Sequence, residues 1–211
     1  MLDRPKIVLG LGNPGTRYGS TRHNVGFRVL DRLAQLRRLT FRPAAELSGK
    51  AWVAAVESSE MALILAKPRT YMNRSGRAAL ALCDHYAATP AQLLVVHDDA
   101  DLSLGRLRLR PEGGAGGHNG LRSLIDALQT ESFPRVRLGV RGVGRAAGEL
   151  SDYVLGPFEP AEEPLVEALV ELAAQAVEAA LKHGLGAAMN SYNARCASPG
   201  DQAKGQPEEG E

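Results

Sequence analysis

Short apolar runs bounded by turn residues recur along the chain and predict strands near 6–11, 51–57, 61–67, 93–97, 105–110 and 135–141. Between them apolar residues return every three or four positions, which predicts helices. These fall at 25–38 (Val25, Val29, Leu33, Leu36), 74–88, 120–129 (Leu121, Leu124, Ile125, Leu128) and 160–183 (Leu165, Leu169, Leu172, Val177, Leu181). Strands interleaved with helices argue for one α/β domain over residues 1–193, a central mixed, twisted β-sheet flanked by helices. No period of 20–50 residues repeats. From Ala197 the chain reads "ASPGDQAKGQPEEGE", with no apolar residue but Ala, so 194–211 is expected to be a disordered tail.

The polar segments between these runs carry the chemistry. The first, "GLGNPGTRYGSTRHNVG" at 10–26, follows an apolar run and places Gly10, Gly12 and Gly15 at the spacing of a dinucleotide-binding turn. Such a turn needs its helix to begin inside the glycines, so that backbone N–H groups face a pyrophosphate. Here Pro14 removes one donor and the helical pattern starts only near residue 24. No acidic residue closes a second strand about twenty positions on; Asp31 falls within the helix pattern. The glycines instead read as points of close backbone approach that let Asn13, Tyr18, His23 and Asn24 face one cleft. Plainer roles are a turn at Asn13-Pro14-Gly15 and a helix N-cap at Asn24.

Composition narrows the setting. With 211 residues, 44% hydrophobic, the chain suits one soluble domain with a sizeable core. The N-terminus reads as neither a signal peptide nor a membrane span, and two cysteines without C-x-x-C spacing fit a cytoplasmic protein. The net charge of +1 hides an asymmetry: 22 Lys+Arg against 12 Asp+Glu through Arg145, then 3 against 12. Two arginine clusters, Arg106/Arg108/Arg110 and Arg135/Arg137/Arg141/Arg145, would attract a polyanion, or merely solvate strand faces.

Three further polar segments each sit at a strand end or helix start: "KPRTYMNRSG" (67–76), "VVHDDAD" (95–101) and "GGAGGHNG" (113–120). Taken singly they have ordinary explanations, with Asn73 or Asn119 as N-caps, Met72 as core and His97 or His118 as structural histidines. Asp98, Asp99 and Asp101 could chelate Mg²⁺, although neighbours on a strand point to opposite faces. In order and together, "GLGNPGTRYGSTRHNVG", "KPRTYMNRSG", "HDDADLSLG" and "GGAGGHNGLRS" resemble the blocks of bacterial-type peptidyl-tRNA hydrolases, along nearly the whole chain to about residue 193. The departures are small: Asp99-Ala100 where relatives commonly carry Glu and a larger residue, Ala115 in the glycine loop, and Arg for Lys in places.

The resemblance implies hydrolysis of the ester joining a peptide to the ribose of tRNA, in the cytoplasm, by a monomer without cofactor or metal. It implies His23 as general base on water and Asp98 as the group that orients it. No G-x-S-x-G elbow is present, so direct attack by water is expected rather than an acyl-enzyme. Asn13 matches the position thought to tell blocked from unblocked aminoacyl-tRNA. Asn73 and Asn119 match positions that bind the peptide or the terminal adenosine, and either could serve an oxyanion hole. Tyr18 and Tyr71 match tRNA contacts, and Arg110 and Arg137 match cations along the phosphate path of the acceptor stem. Two rival expectations are an inactive RNA-binding splicing cofactor of the same fold and a metal-dependent phosphodiesterase built on the aspartates.

Overall fold

The computed structural model describes residues 6–57, 62–142 and 150–199. Seven strands form one sheet: β1 (Ile7–Gly10), β2 (Arg42–Pro43), β3 (Ala51–Glu57), β4 (Ala62–Pro68), β5 (Leu93–Ser103), β6 (Leu107–Arg110) and β7 (Arg135–Arg141), in the order β2-β3-β4-β1-β5-β7-β6. The four inner strands are parallel, while β2–β3, β3–β4 and β6–β7 pair antiparallel. The expected mixed α/β sheet is therefore present. Among the described residues six α-helices accompany it: α1 (Val25–Leu36), α2 (Ser75–His85), α3 (Asn119–Leu128), α4 (Leu150–Leu155), α5 (Glu163–His183) and α6 (Leu185–Tyr192).

Alternation along the inner strands explains both layers. Ile7, Leu9, Leu93 and Val95 point to one face, where Leu82, Leu121 and Leu124 of α2 and α3 meet them. Val8, Leu94 and Val96 point to the other, against Val29 and Leu33 of α1 and Leu169 and Val177 of α5. A strand covered on both faces reads as a continuous apolar run, which is why these strands are visible in the sequence.

Helices packed this closely require glycine. A Cβ on Gly26 would lie 2.5 Å from the Leu11 carbonyl oxygen and 2.6 Å from that of Val96, both backbone atoms. Gly10 and Gly12 face Leu30 and the Phe27 ring at similar distances. These glycines seat the start of α1 on the ends of β1 and β5; they do not cradle a phosphate.

The charge asymmetry is partly internal. Acidic residues of α5 face basic residues of α1, pairing Arg28 with Glu163, Arg32 with Glu171 and Arg37 with Glu178 at 2.6–2.8 Å. These arginines are not free for a polyanion. Of the expected tail 194–211, residues 194–199 run past the start of β6, where Cys196 bridges Arg106 and the Ala197 N–H donates to Gly105 at 2.8 Å. Residues 200–211 lie outside the described residues, as do Arg145 and the first residue of the strand expected at 61–67.

Candidate active site

The carboxyl ends of parallel strands are where a sheet of this kind leaves a crevice, widest where strand order reverses. Here β1 lies between β4 and β5, and the segments leaving β1 and β4 meet each other and, through His23, the side of β5. After β1 the chain makes 3-10 turns at Thr16–Tyr18 and Arg22–Asn24 before α1 begins. Two asparagines close this loop. The Asn13 N–H donates to Asn24 Oδ1 at 2.8 Å, and Asn24 Nδ2 donates to the Asn13 carbonyl at 3.0 Å. Asn24 thus stands at the N-cap position of α1 without capping it by its side chain. The Met72 N–H donates to Asn13 Oδ1 at 2.8 Å, tying the loop to the segment after β4 and leaving Asn13 Nδ2 as the donor.

Beside His23, Arg22 anchors the loop to β7 and to the start of α5. It is 4% exposed, donates to the Val140 carbonyl at 3.1 Å and to Glu162 at 2.6 Å, and lies between the rings of Tyr153 and Phe158. The His23 position is consequently fixed from both flanks.

His23 meets Asp98, which is 2% exposed on β5. His23 Nδ1 lies 2.8 Å from Asp98 Oδ1, and His118 Nε2 lies 3.0 Å from the same oxygen. The tautomers follow from the partners. His118 Nδ1 accepts the N–H groups of Gly120 and Leu121, at 3.0 and 3.2 Å, so its proton is on Nε2 and is donated to Asp98. Asp98 accepts from His23 Nδ1–H as well, which leaves His23 Nε2 with a lone pair. Burial pushes the Asp98 carboxyl up, but the two imidazoles beside it outweigh burial and hold it well below the usual carboxylate range.

His97 packs behind this pair, its ring edge-on to that of His118 at 5.1 Å between centroids. Its Nδ1–H donates to the Asp98 carbonyl at 2.7 Å, while Nε2 is buried with no partner among the described residues. Burial above all, with His118 nearby, brings its pKa down to about 3, so the ring stays neutral. Arg135 supports the glycine loop that carries His118. It donates to the carbonyls of Gly114 and Glu131, both at 3.1 Å, and stacks on Phe133.

A cleft of about 440 Å³ opens over these groups and brings together His23, Asp98, Asn119, Arg110 and Arg137. Asn13 and Asn24 line a second cleft of about 320 Å³ on the other side of the loop. Tyr18, Tyr71 and Asn73 line neither cleft; Tyr71 is 59% exposed and Asn73 follows the Met72 that Asn13 holds.

Three expectations change. Asn119 begins α3 but is not its cap; His118 is, so the histidine reserved as structural caps a helix and holds Asp98. Arg137 is not a free cation, because its Nε donates to Asp99 Oδ2 at 2.5 Å. The three aspartates do not converge on one point: Asp98 faces the histidines, while Asp99 faces Arg137 and the Asp101 N–H. The group whose atoms could share a metal, among the described residues, is His23, Asp98 and His118, within 4.8 Å of one another. The imidazole nitrogens nearest the carboxylate are already spent as donors to it, so they do not point lone pairs at a shared ion. His118 escaped the sequence reading because histidine is not a usual cap residue; its place in the GGHN block was the available signal.

The family described as Peptidyl-tRNA hydrolase matches residues 7–200. The peptidyl-tRNA hydrolase of Chloroflexus aurantiacus is 48% identical over 190 residues, covering 89% of this chain and 98% of that protein. The Synechocystis enzyme of the same name is 45% identical over 195 residues, covering 92% of this chain and 99% of that protein. Among solved structures, peptidyl-tRNA hydrolase from Acinetobacter baumannii superposes with a TM-score of 0.85 at 31% identity, covering 94% of this chain and 99% of that one.

Proposed function

The chain belongs to the peptidyl-tRNA hydrolase family, and on that premise we propose how its own residues cleave the ester between peptide and tRNA. The observation that carries the reading is His23 Nε2, a lone pair at the edge of a cleft, with Nδ1–H locked onto a buried carboxylate. His23 Nε2 takes a proton from water as the water attacks the ester carbonyl; such assistance is typically worth roughly 10²–10⁴-fold. Asp98 keeps the tautomer and stabilises the imidazolium as it forms. His118 positions Asp98 and reaches the reaction only through it.

Asn13 Nδ2 and Asn119 are the uncharged groups offered to the acyl chain and the developing oxyanion. A blocked α-amino group presents a carbonyl that Asn13 Nδ2 can donate to, whereas a free ammonium presents only donors and is turned away. Arg110, and to a lesser degree Arg137, contact phosphates of the acceptor stem, with Tyr18, Tyr71 and Asn73 further out along the tRNA. Contacts of this kind read backbone rather than sequence, as an enzyme acting on many tRNAs needs. The enzyme acts in the cytoplasm as a monomer. No helix among the described residues is long and apolar enough to cross a membrane.

The test is release of tRNA from an N-acetylated aminoacyl-tRNA by the wild type and His23→Ala side by side. Wild-type turnover with loss in the variant supports the assignment. Equal rates remove His23 from the mechanism, and wild-type inactivity with retained tRNA binding would favour an RNA-binding role. Exhaustive chelation, with tRNA folding controlled, should leave single-turnover hydrolysis intact.

A further inference from the structure

Consecutive residues line different clefts: His23 faces the first and Asn24 the second. Asn13, on the same loop as His23, lines the second cleft; its Oδ1 accepts from Met72, and its Nδ2 has no partner among the described residues. The two clefts differ in chemistry. The first is charged and polar, lined by three arginines and four carboxylates. Arg137 is held by Asp99 and Arg135 by two carbonyls, which leaves Arg110 as the exposed cation without an ion pair among the described residues and the one that suits a phosphate. The second is walled by Phe27, Phe41 and Trp52, which are half-buried. Its two cations among the described residues, Arg28 and Lys67, are already paired, Arg28 with Glu163. Lys67, with its side chain 12% exposed, pairs with Asp31 and sits 4.3 Å from the Phe41 centroid and 5.4 Å from that of Phe27. An ammonium held by a carboxylate and two ring faces adds little net charge to the cleft.

An ester attacked beside His23 has its nucleotide on one side and its acyl chain on the other. With the tRNA end drawn to Arg110 and Asn13 Nδ2 on the group that blocks the α-amine, the acyl chain leads past Asn13 into the aromatic cleft that Asn13 lines. We propose that this second cleft is a subsite for the peptide, receiving a bulky apolar side chain from the residue that precedes the esterified one. The proposal rests on the reading of the chain as a peptidyl-tRNA hydrolase. The subsite makes Phe41 and Trp52 specificity residues that touch the peptide and not the reacting atoms. Its energy is realised equally in ground and transition states, so it acts on KM and not on kcat.

The experiment compares one tRNA carrying N-acetyl-aminoacyl, N-acetyl-Gly-aminoacyl and N-acetyl-Phe-aminoacyl groups. Wild type should show a KM roughly tenfold lower for the Phe-containing substrate than for the Gly-containing one, with similar kcat. Trp52→Ala and Phe41→Ala should erase that difference and leave N-acetyl-aminoacyl-tRNA, which has no such side chain, unaffected. Trp52→Glu, on a half-exposed wall, should transfer the preference to a Lys in place of Phe; this gain of specificity cannot come from misfolding. Equal KM values across the wild-type series, or variants that weaken all three substrates alike, would overturn the subsite while the hydrolase reading stands. Failure of wild type to cleave any of the three would overturn the hydrolase reading and the subsite with it.

Discussion

His23 and His118 donate to one and the same oxygen of Asp98, at 2.8 and 3.0 Å, with their rings 4.8 Å apart. Yet they are not equivalent. His118 has both nitrogens engaged, whereas His23 has Nε2 to spare. His23→Ala should therefore lower turnover by at least about two orders of magnitude with tRNA binding retained. His118→Ala should cost about tenfold in rate, because Asp98 keeps one of its donors, and about 1 kcal/mol through the lost cap. His118→Asn should recover the stability, since its side chain can cap, without recovering the rate. A His118→Ala defect as deep as that of His23→Ala would reverse the roles.

Asp98→Asn keeps an oxygen that both imidazoles can face but removes the charge that stabilises an imidazolium. Turnover should fall less than in His23→Ala, and the pH–rate profile should change. An unaltered profile and rate would make Asp98 structural only.

His97 should show itself in stability rather than rate. Its folded-state pKa of about 3 lies below the unfolded value of about 6.5. Between these values the unfolded chain binds the extra proton, so stability is full above about pH 6.5 and is lost as pH falls toward 3. Asp98, also depressed, adds its own loss only below about pH 4, the unfolded carboxylate range. Melting temperatures of His97→Phe should flatten against pH from about 4 to 6.5, where wild type slopes. Parallel curves would contradict a neutral buried His97.

Arg110 is exposed and makes no ion pair among the described residues, whereas Arg137 is held by Asp99. In a His23→Ala background, Arg110→Ala should weaken binding of every tRNA alike and reduce the log–log salt slope by about 0.7 to 0.9. Arg137→Ala should change the slope less, and Asp99→Asn should tighten binding. If Arg110→Ala leaves affinity and slope untouched, the phosphate assignment falls.

How much of this was legible depended on what each residue touches. Strands β1, β4, β5 and β7 are covered on both faces and announced themselves as apolar runs. The continuation of β5 to Ser103 did not, because its last residues, among them Asp98 and Asp99, are polar and the pairing with β7 shifts register there. The two-residue β2 and the short α4 and α6 offered too few positions for a period to register. In the site, His23 and Asp98 were visible through motif resemblance. That His118 shares Asp98, and that Asp99 occupies Arg137, depends on strand register and a loop path that no local pattern encodes.

The anchoring of Arg22 by Glu162 sets a clock on the making of this enzyme. The two residues are 140 positions apart, and Arg22 adjoins His23. A chain emerging N-terminus first at about 5–20 residues per second must wait roughly 7 to 28 s between synthesising Arg22 and synthesising its anion. Until then the guanidinium lacks its anion, with the Val140 carbonyl and then the Tyr153 and Phe158 rings emerging only shortly before it, and the outer flank of the loop bearing His23 is not yet locked. The hydrolytic site is thus among the last parts of the molecule to take shape, and truncated chains ending before α5 should be inert even where the sheet has formed.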